Sequence, residues 1–158
     1  MNNNILIVYY SHSGNTRKLA KLIEQEIGGM LCELEPEKVY PSDYNTVVEQ
    51  AKREIQAGFR PVLKTTIKDI TTYDQIFIGT PNWWNTIAPP VATFLENCDF
   101  SGKTVVPFCT HGGGGAGNIE AAVRKLCPAS TVLAGLAIYG NTAKDSQVES
   151  WLKKLGVK

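Results

Sequence analysis

The chain has 158 residues, 43% of them hydrophobic and 20% charged, with a formal net charge of +1. That fits a single domain over 1–158 with a full core, and a near-zero charge excludes broad electrostatic attraction to nucleic acid or an anionic membrane. No apolar run approaches the roughly 20 residues that span a bilayer, and MNNNILIV lacks the basic segment and cleavage site of a signal peptide.

In chain order, residues 4–10 (NILIVYY) read as a buried strand: short, apolar and rich in β-branched and aromatic side chains. From Thr16 the pattern turns helical, with Leu19, Leu22, Ile23 and Ile27 on one face, and Gly28-Gly29 ends it. Met30 to Leu34 is a short second strand. Pro41 and Asp43 open a helix whose inner face carries Val47, Val48, Ala51 and Ile55, closed by Gly58. Residues 59–72 read as a long irregular connection, and 74–80 as a third strand. PNWWNTIAPP reads as a loop, followed by a short helix with Val91, Phe94 and Leu95. A fourth strand, Lys103 to Thr110, runs into HGGGGAG, then a helix with Ile119, Ala122, Val123 and Leu126. Residues 131–139 read as a fifth strand, and Val148, Trp151, Leu152 and Leu155 mark a closing helix. Strands alternating with helices, and apolar along most of their length, predict an open, parallel, doubly wound α/β sheet covered on both faces.

In such sheets ligands bind beyond the carboxyl ends of the strands. The loops after strands one, three and four are SHSGNT, PNWWNT and THGGGG. The first offers backbone N–H groups at a helix N-terminus, hydroxyls at Ser11, Ser13 and Thr16, an amide at Asn15, and a close backbone approach at Gly14. It is built for a phosphate, yet it lacks the lysine of a Walker A loop and the spacing of a dinucleotide turn. A serine- and threonine-rich helix cap that binds nothing is the competing reading. Trp83 and Trp84 are costly to expose side by side: one can stack on a flat ring while the other packs down, or both can be plain core residues. His111-Gly-Gly-Gly also matches the oxyanion loop of lipases, but no Gly-x-Ser-x-Gly elbow and no later histidine accompany it. Cys32, Cys98, Cys109 and Cys127 form no Cys-x-x-Cys pair. With two histidines in the chain, they read as buried thiols in a reducing cytoplasm, with no metal site.

VYYSHSGNT resembles the phosphate loop of flavodoxins, Thr/Ser-x-Thr/Ser-Gly-Asn-Thr, and the stretch from Gly79 to Gly115 resembles the second half of flavodoxin-like proteins. The resemblance covers essentially the whole chain. It implies a three-layer αβα sandwich around a five-stranded parallel sheet of order 2-1-3-4-5, and a bound FMN. Ser11, His12, Ser13, Gly14, Asn15 and Thr16 would then surround the phosphate, with His12 at the variable position contributing through its backbone. Pro81, Asn82, Trp83, Trp84 and Asn85, together with Thr110, His111, Gly112, Gly113, Gly114 and Gly115, would flank the flavin. His111 is the candidate for protonation or substrate contact, against a purely structural role.

The chain departs from electron-shuttling flavodoxins in two ways. It is not acidic, and its fourth loop has glycine where many of them place an aromatic over the second flavin face. The expected roles are an electron carrier between redox partner proteins or, alternatively, an NAD(P)H-dependent FMN oxidoreductase that reduces a quinone or another small acceptor on an open flavin face. No second nucleotide motif is present, which puts the carrier first. Residues 36–72 are the candidate lid or partner surface, and a second subunit forming a homodimer could also cover the open face.

Overall fold

The computed structural model describes residues 4–67 and 69–158; Lys68 of the long connection, and the start of MNNNILIV, lie outside them. The elements follow the expected alternation: β1 (Ile5–Tyr9), α1 (Asn15–Ile27), β2 (Met30–Glu33), α2 (Tyr44–Ala57), β3 (Gln75–Pro81), α3 (Pro89–Asn97), β4 (Thr104–His111), α4 (Ile119–Leu126), β5 (Thr131–Val132), β6 (Leu136–Tyr139) and α5 (Asp145–Leu155). A three-residue 3-10 turn, Ile70–Thr72, interrupts the connection before β3. All strand pairs are parallel and the order is β2-β1-β3-β4-β5, with β6 also on β4.

Alternation along β1 builds two cores. Ile5, Ile7 and Tyr9 face α1 and α5, where Leu19, Ile23, Trp151 and Leu152 complete a cluster. Leu6, Val8 and Tyr10 face the other side with Val47, Val91, Leu95 and Val123 from α2, α3 and α4. Both faces of β1 are therefore covered, which is why it reads as an unbroken apolar run. The result is a three-layer αβα sandwich. On α2, Val47 and Ala51 are buried, while Val48 and Ile55 are only half-buried. Asp43 caps the helix, accepting the Thr46 N–H at 2.9 Å.

The fifth strand differs from the single run read at 131–139. Val105 pairs with Val132 and Phe108 with Leu136, so Leu133, Ala134 and Gly135 stand opposite only Val106 and Pro107. One extra residue makes a bulge. Its cause lies on β4. The Val105 carbonyl accepts the Leu133 N–H at 3.0 Å, so Pro107, two residues on, turns the same way and has no N–H to give. The groups freed at the bulge find side chains instead. The Trp151 indole N–H donates to the Ala134 carbonyl at 3.0 Å, and the Gly135 N–H donates to Glu120 Oε2 at 3.2 Å. Gly135 has no room for a side chain, since a Cβ there would lie 2.7 Å from the Pro107 carbonyl oxygen.

Candidate functional site

The carboxyl ends of β1, β3, β4 and β6 open onto one cavity of about 570 Å³. The first loop contributes His12, Ser13 and Asn15, the third contributes Pro81 to Trp84, and the fourth contributes Thr110, His111 and Gly112. Ser11, Gly14, Thr16, Asn85 and Gly113 to Gly115 belong to the same loops but do not line the cavity. Among the described residues, no Asp, Glu, Lys or Arg lines it.

The first loop leaves the head of α1 open. Gly14 sits at the N-cap with φ +97°, a left-handed conformation that suits glycine, and has no side chain of its own to cap the helix. Ser11 Oγ accepts the N–H groups of Gly14 (3.1 Å) and Arg17 (3.3 Å). The first helical bond runs from the Lys18 N–H to the Gly14 carbonyl at 3.0 Å. The N–H groups of Asn15 and Thr16 lie ahead of it, beyond the reach of intrahelical acceptors, at the positive end of the dipole. The Thr16 hydroxyl turns inward and pairs with the Thr110 hydroxyl at 2.7 Å, tying the head of α1 to the end of β4. Arg17 stands beside the loop, but Glu33 holds its guanidinium at 2.9 and 2.7 Å. The Tyr9 hydroxyl donates to the same carboxylate at 3.0 Å. Burial, followed by the charge of Glu33, pushes Tyr9 up to about 12. The His12 ring donates from Nε2 to the Pro41 carbonyl at 2.8 Å, so its side chain pins the loop to the segment ahead of α2.

The third loop is a hairpin. Trp83 and Thr86 exchange two backbone hydrogen bonds of 3.1 Å around Trp84 and Asn85, whose φ values are +53° and +73°. Asparagine tolerates this region, whereas tryptophan there is strained. The two tryptophans divide their tasks. Trp83 packs edge-on against Tyr40, Tyr10 and His12 at centroid distances of 5.0, 5.6 and 5.9 Å. Trp84, 47% exposed, reaches α2, where its indole N–H donates to the Val48 carbonyl at 2.8 Å. Lys52 Nζ lies 5.2 Å from the Trp84 ring centroid.

The third and fourth loops are latched together. Asn82 Nδ2 donates to the Gly115 carbonyl at 2.8 Å, and the Asn118 N–H donates to the Asn85 carbonyl at 2.7 Å. At Gly117 (φ +51°) a Cβ would fall 2.3 Å from Asn85 Oδ1, so only glycine fits. His111 Nδ1 accepts the Gly113 N–H at 3.1 Å, which places the ring proton on Nε2. The ring meets Tyr139 edge-on at 5.9 Å.

Sequence reasoning missed Tyr139 at the end of β6 and Gly140 after it, and Tyr44, Val47, Val48 and Ala51, which make the α2 wall of the cavity. Tyr139 was within reach of the strand-end rule, because it closes the fifth strand at the same edge as the three loops considered. The α2 wall had no comparable signal.

The fold and this cluster of loops define a flavodoxin-like α/β domain. The family model for flavodoxin matches residues 4–155, and the chain belongs to the flavodoxin family. It is similar to a candidate flavoprotein from Bacteroides eggerthii, at 33% identity over 99% of this chain and 100% of that one, with a TM-score of 0.88. A candidate flavoprotein from Bacteroides uniformis is 30% identical over 97% and 99% of the two chains, with a TM-score of 0.86. A Lactobacillus acidophilus flavoprotein in complex with FMN is 27% identical over 95% and 99%, with a TM-score of 0.76. No curated protein matches the chain.

Proposed function

We propose that this chain binds FMN in the cavity and carries electrons between redox partners. One observation carries the reading: a helix N-terminus with the Asn15 and Thr16 N–H groups left open, an aromatic hairpin and the start of a glycine loop converge on one uncharged cavity. The FMN complex of the Lactobacillus acidophilus relative supports the same cofactor here.

The residues present fit that group. The N–H groups of Asn15 and Thr16, with the Ser13 hydroxyl and the Asn15 amide, would hold the phosphate without a cation, since Arg17 is already held by Glu33. Ser11 would act behind them, holding the loop in shape through two backbone N–H groups. Pro81 to Trp84 of the hairpin and Thr110 to Gly112 at the start of the glycine loop would take the ring between them, with the two loops held in register by the Asn82 and Asn85 latches. His111, which lines the cavity, would position the glycine loop through Nδ1 with the ring proton on Nε2. FMN supplies reversible redox chemistry when bound. The protein's part is to orient it and to set how much of it is open.

A second reading, an NAD(P)H-dependent oxidoreductase acting on a small acceptor, is favoured by the bare fourth loop. Gly112, Gly113 and Gly114 are exposed and carry no side chain to cover a ring. The test is titration of the purified protein with FMN, followed by visible absorption and stepwise reduction. Binding with two separate one-electron steps supports the carrier, and a single two-electron step with steady NAD(P)H oxidation supports the oxidoreductase. The double variant Ser13→Ala/Asn15→Ala should weaken FMN, since a hydrogen bond to a charged group contributes about 1.5–3 kcal/mol. Unchanged affinity would place the phosphate elsewhere.

A further inference from the structure

We propose that a second cavity, on the β2 side of the first loop, binds a free α-amino acid with an apolar side chain. The proposal goes beyond the FMN reading and does not depend on it. The cavity holds about 630 Å³, within the roughly 300–1,000 Å³ of small-molecule sites. It meets the cavity assigned to FMN at His12 and Ser13, which line both. Three observations carry the proposal.

The first is charge. The FMN cavity has no Asp, Glu, Lys or Arg in its lining, whereas this one has Arg17, Glu33, Glu35 and Lys64. Arg17 and Glu33 satisfy each other through bonds of 2.9 and 2.7 Å. That leaves the Lys64 ammonium and the Glu35 carboxylate, both on exposed residues and without an ionic partner among the described residues. A ligand with a single charge would meet one of them as a like charge. A zwitterion offers a carboxylate to Lys64 and an ammonium to Glu35, so each of its ions exchanges water for an opposite charge.

The second is apolar surface in the same lining. Leu34, Pro36, Val39 and Tyr40 belong to it. Val39 is 83% exposed, more than any other large exposed hydrophobic residue among the described ones. The Tyr40 hydroxyl donates to the Glu54 carboxylate, so the ring carbons are what Tyr40 has left to offer a ligand. An aliphatic or aromatic side chain laid over Val39 would take that surface out of water.

The third is that the wall carrying the two free charges is already built. The Lys64 N–H donates to the Glu35 carbonyl at 2.7 Å, and the Glu35 N–H donates to Thr65 Oγ1 at 2.8 Å. The Glu37 N–H donates to the Val62 carbonyl at 2.8 Å. These bonds zip the chain after β2 to the long connection, so Glu35 and Lys64 stand on adjoining stretches of backbone without help from a ligand.

The test titrates ¹⁵N-labelled full-length protein with L-leucine and with three analogues: 4-methylpentanoate, which lacks the ammonium, 3-methylbutylamine, which lacks the carboxylate, and glycine, which lacks the side chain. Leucine should shift the amides of residues 33–40 and of Lys64, and bind about tenfold more tightly than each analogue. Glu35→Gln should remove its advantage over 4-methylpentanoate, and Lys64→Met its advantage over 3-methylbutylamine. Both side chains are exposed, and circular dichroism checks that the variants fold. Equal affinity for leucine and any analogue overturns the proposal, as do an unchanged leucine affinity in both variants and shifts confined elsewhere. Repeating the titration with saturating FMN separates the two cavities: competitive loss of leucine overturns a separate site. If FMN fails to bind while leucine still shifts residues 33–40, the cofactor reading falls and the amino-acid site stands.

Discussion

Two buried hydroxyls show how much a single contact can do. Thr16 and Thr110 are 94 positions apart, 1% and 4% exposed, and bonded to each other at 2.7 Å. Thr110→Val would leave the Thr16 hydroxyl buried without its partner, at a cost of about 1–3 kcal/mol. The double variant Thr16→Val/Thr110→Val should lose less than the two single changes added together, because it removes both orphans. Urea denaturation of the four proteins checks this. The thiols give a second prediction at this scale. Burial pushes Cys109 up to about 12 and Cys127 up to about 11. In the unfolded chain they ionise near their ordinary value of about 8.5–9. Between there and the folded values the unfolded state holds fewer protons, so stability falls as pH rises. Each thiol contributes at most about 1.4 kcal/mol per pH unit. The loss should begin near pH 9 and level off toward pH 12 for the thiol part, and Cys109→Ala should make the decline shallower in denaturation curves from pH 8 to 11.

The elements are constrained most tightly where they have no space. Gly79 lies inside β3, and a Cβ there would sit 2.3 Å from the Phe108 ring and 2.8 Å from the Tyr9 Cβ. Gly79→Ala should therefore cost about 1–3 kcal/mol or more from overpacking, read as a lowered denaturation midpoint. Gly117→Ala acts differently: it strains the φ +51° backbone and pushes on Asn85, so it should loosen the hairpin latch and weaken FMN more than it lowers stability. The strands and helices were legible in the sequence because their apolar periods are strong. The hairpin inside PNWWNTIAPP was not, because tryptophan at positive φ contradicts its own preference and is held there by Val48, Asn118 and Gly115 from elsewhere. TVLAGLAIY looks like one strand because nothing within it announces a break. The reason for the break is Pro107, on the neighbouring strand.

For the molecule as a whole, the candidate site was legible as far as topology reaches. A doubly wound sheet brings the ends of its strands together, so SHSGNT, PNWWNT and THGGGG could be grouped before any coordinates. Which residues of those loops line the cavity, and that α2 and Tyr139 complete its wall, depends on packing that no local pattern encodes. A ligand that binds only the folded chain stabilises all of it. At 100 times its dissociation constant, FMN should add about 2.7 kcal/mol. For a chain of this size that is roughly 5–10 °C in melting temperature. Thermal melts across an FMN series should show a rise that continues with concentration, and a flat series would contradict binding to the folded state.

The bulge at Leu133–Gly135 also bears on how copies of this chain meet. A sheet border with its hydrogen-bonding row intact is a template on which another chain can add a strand. Here that border is two short pieces with a kink between them, and the groups released at the kink are taken up by Trp151 and Glu120 from within. Pro107 thus does more than interrupt a ladder. By forcing the last strand out of line it divides that side into rows of two and four residues, a poorer template for strand addition by another copy than one continuous strand would be.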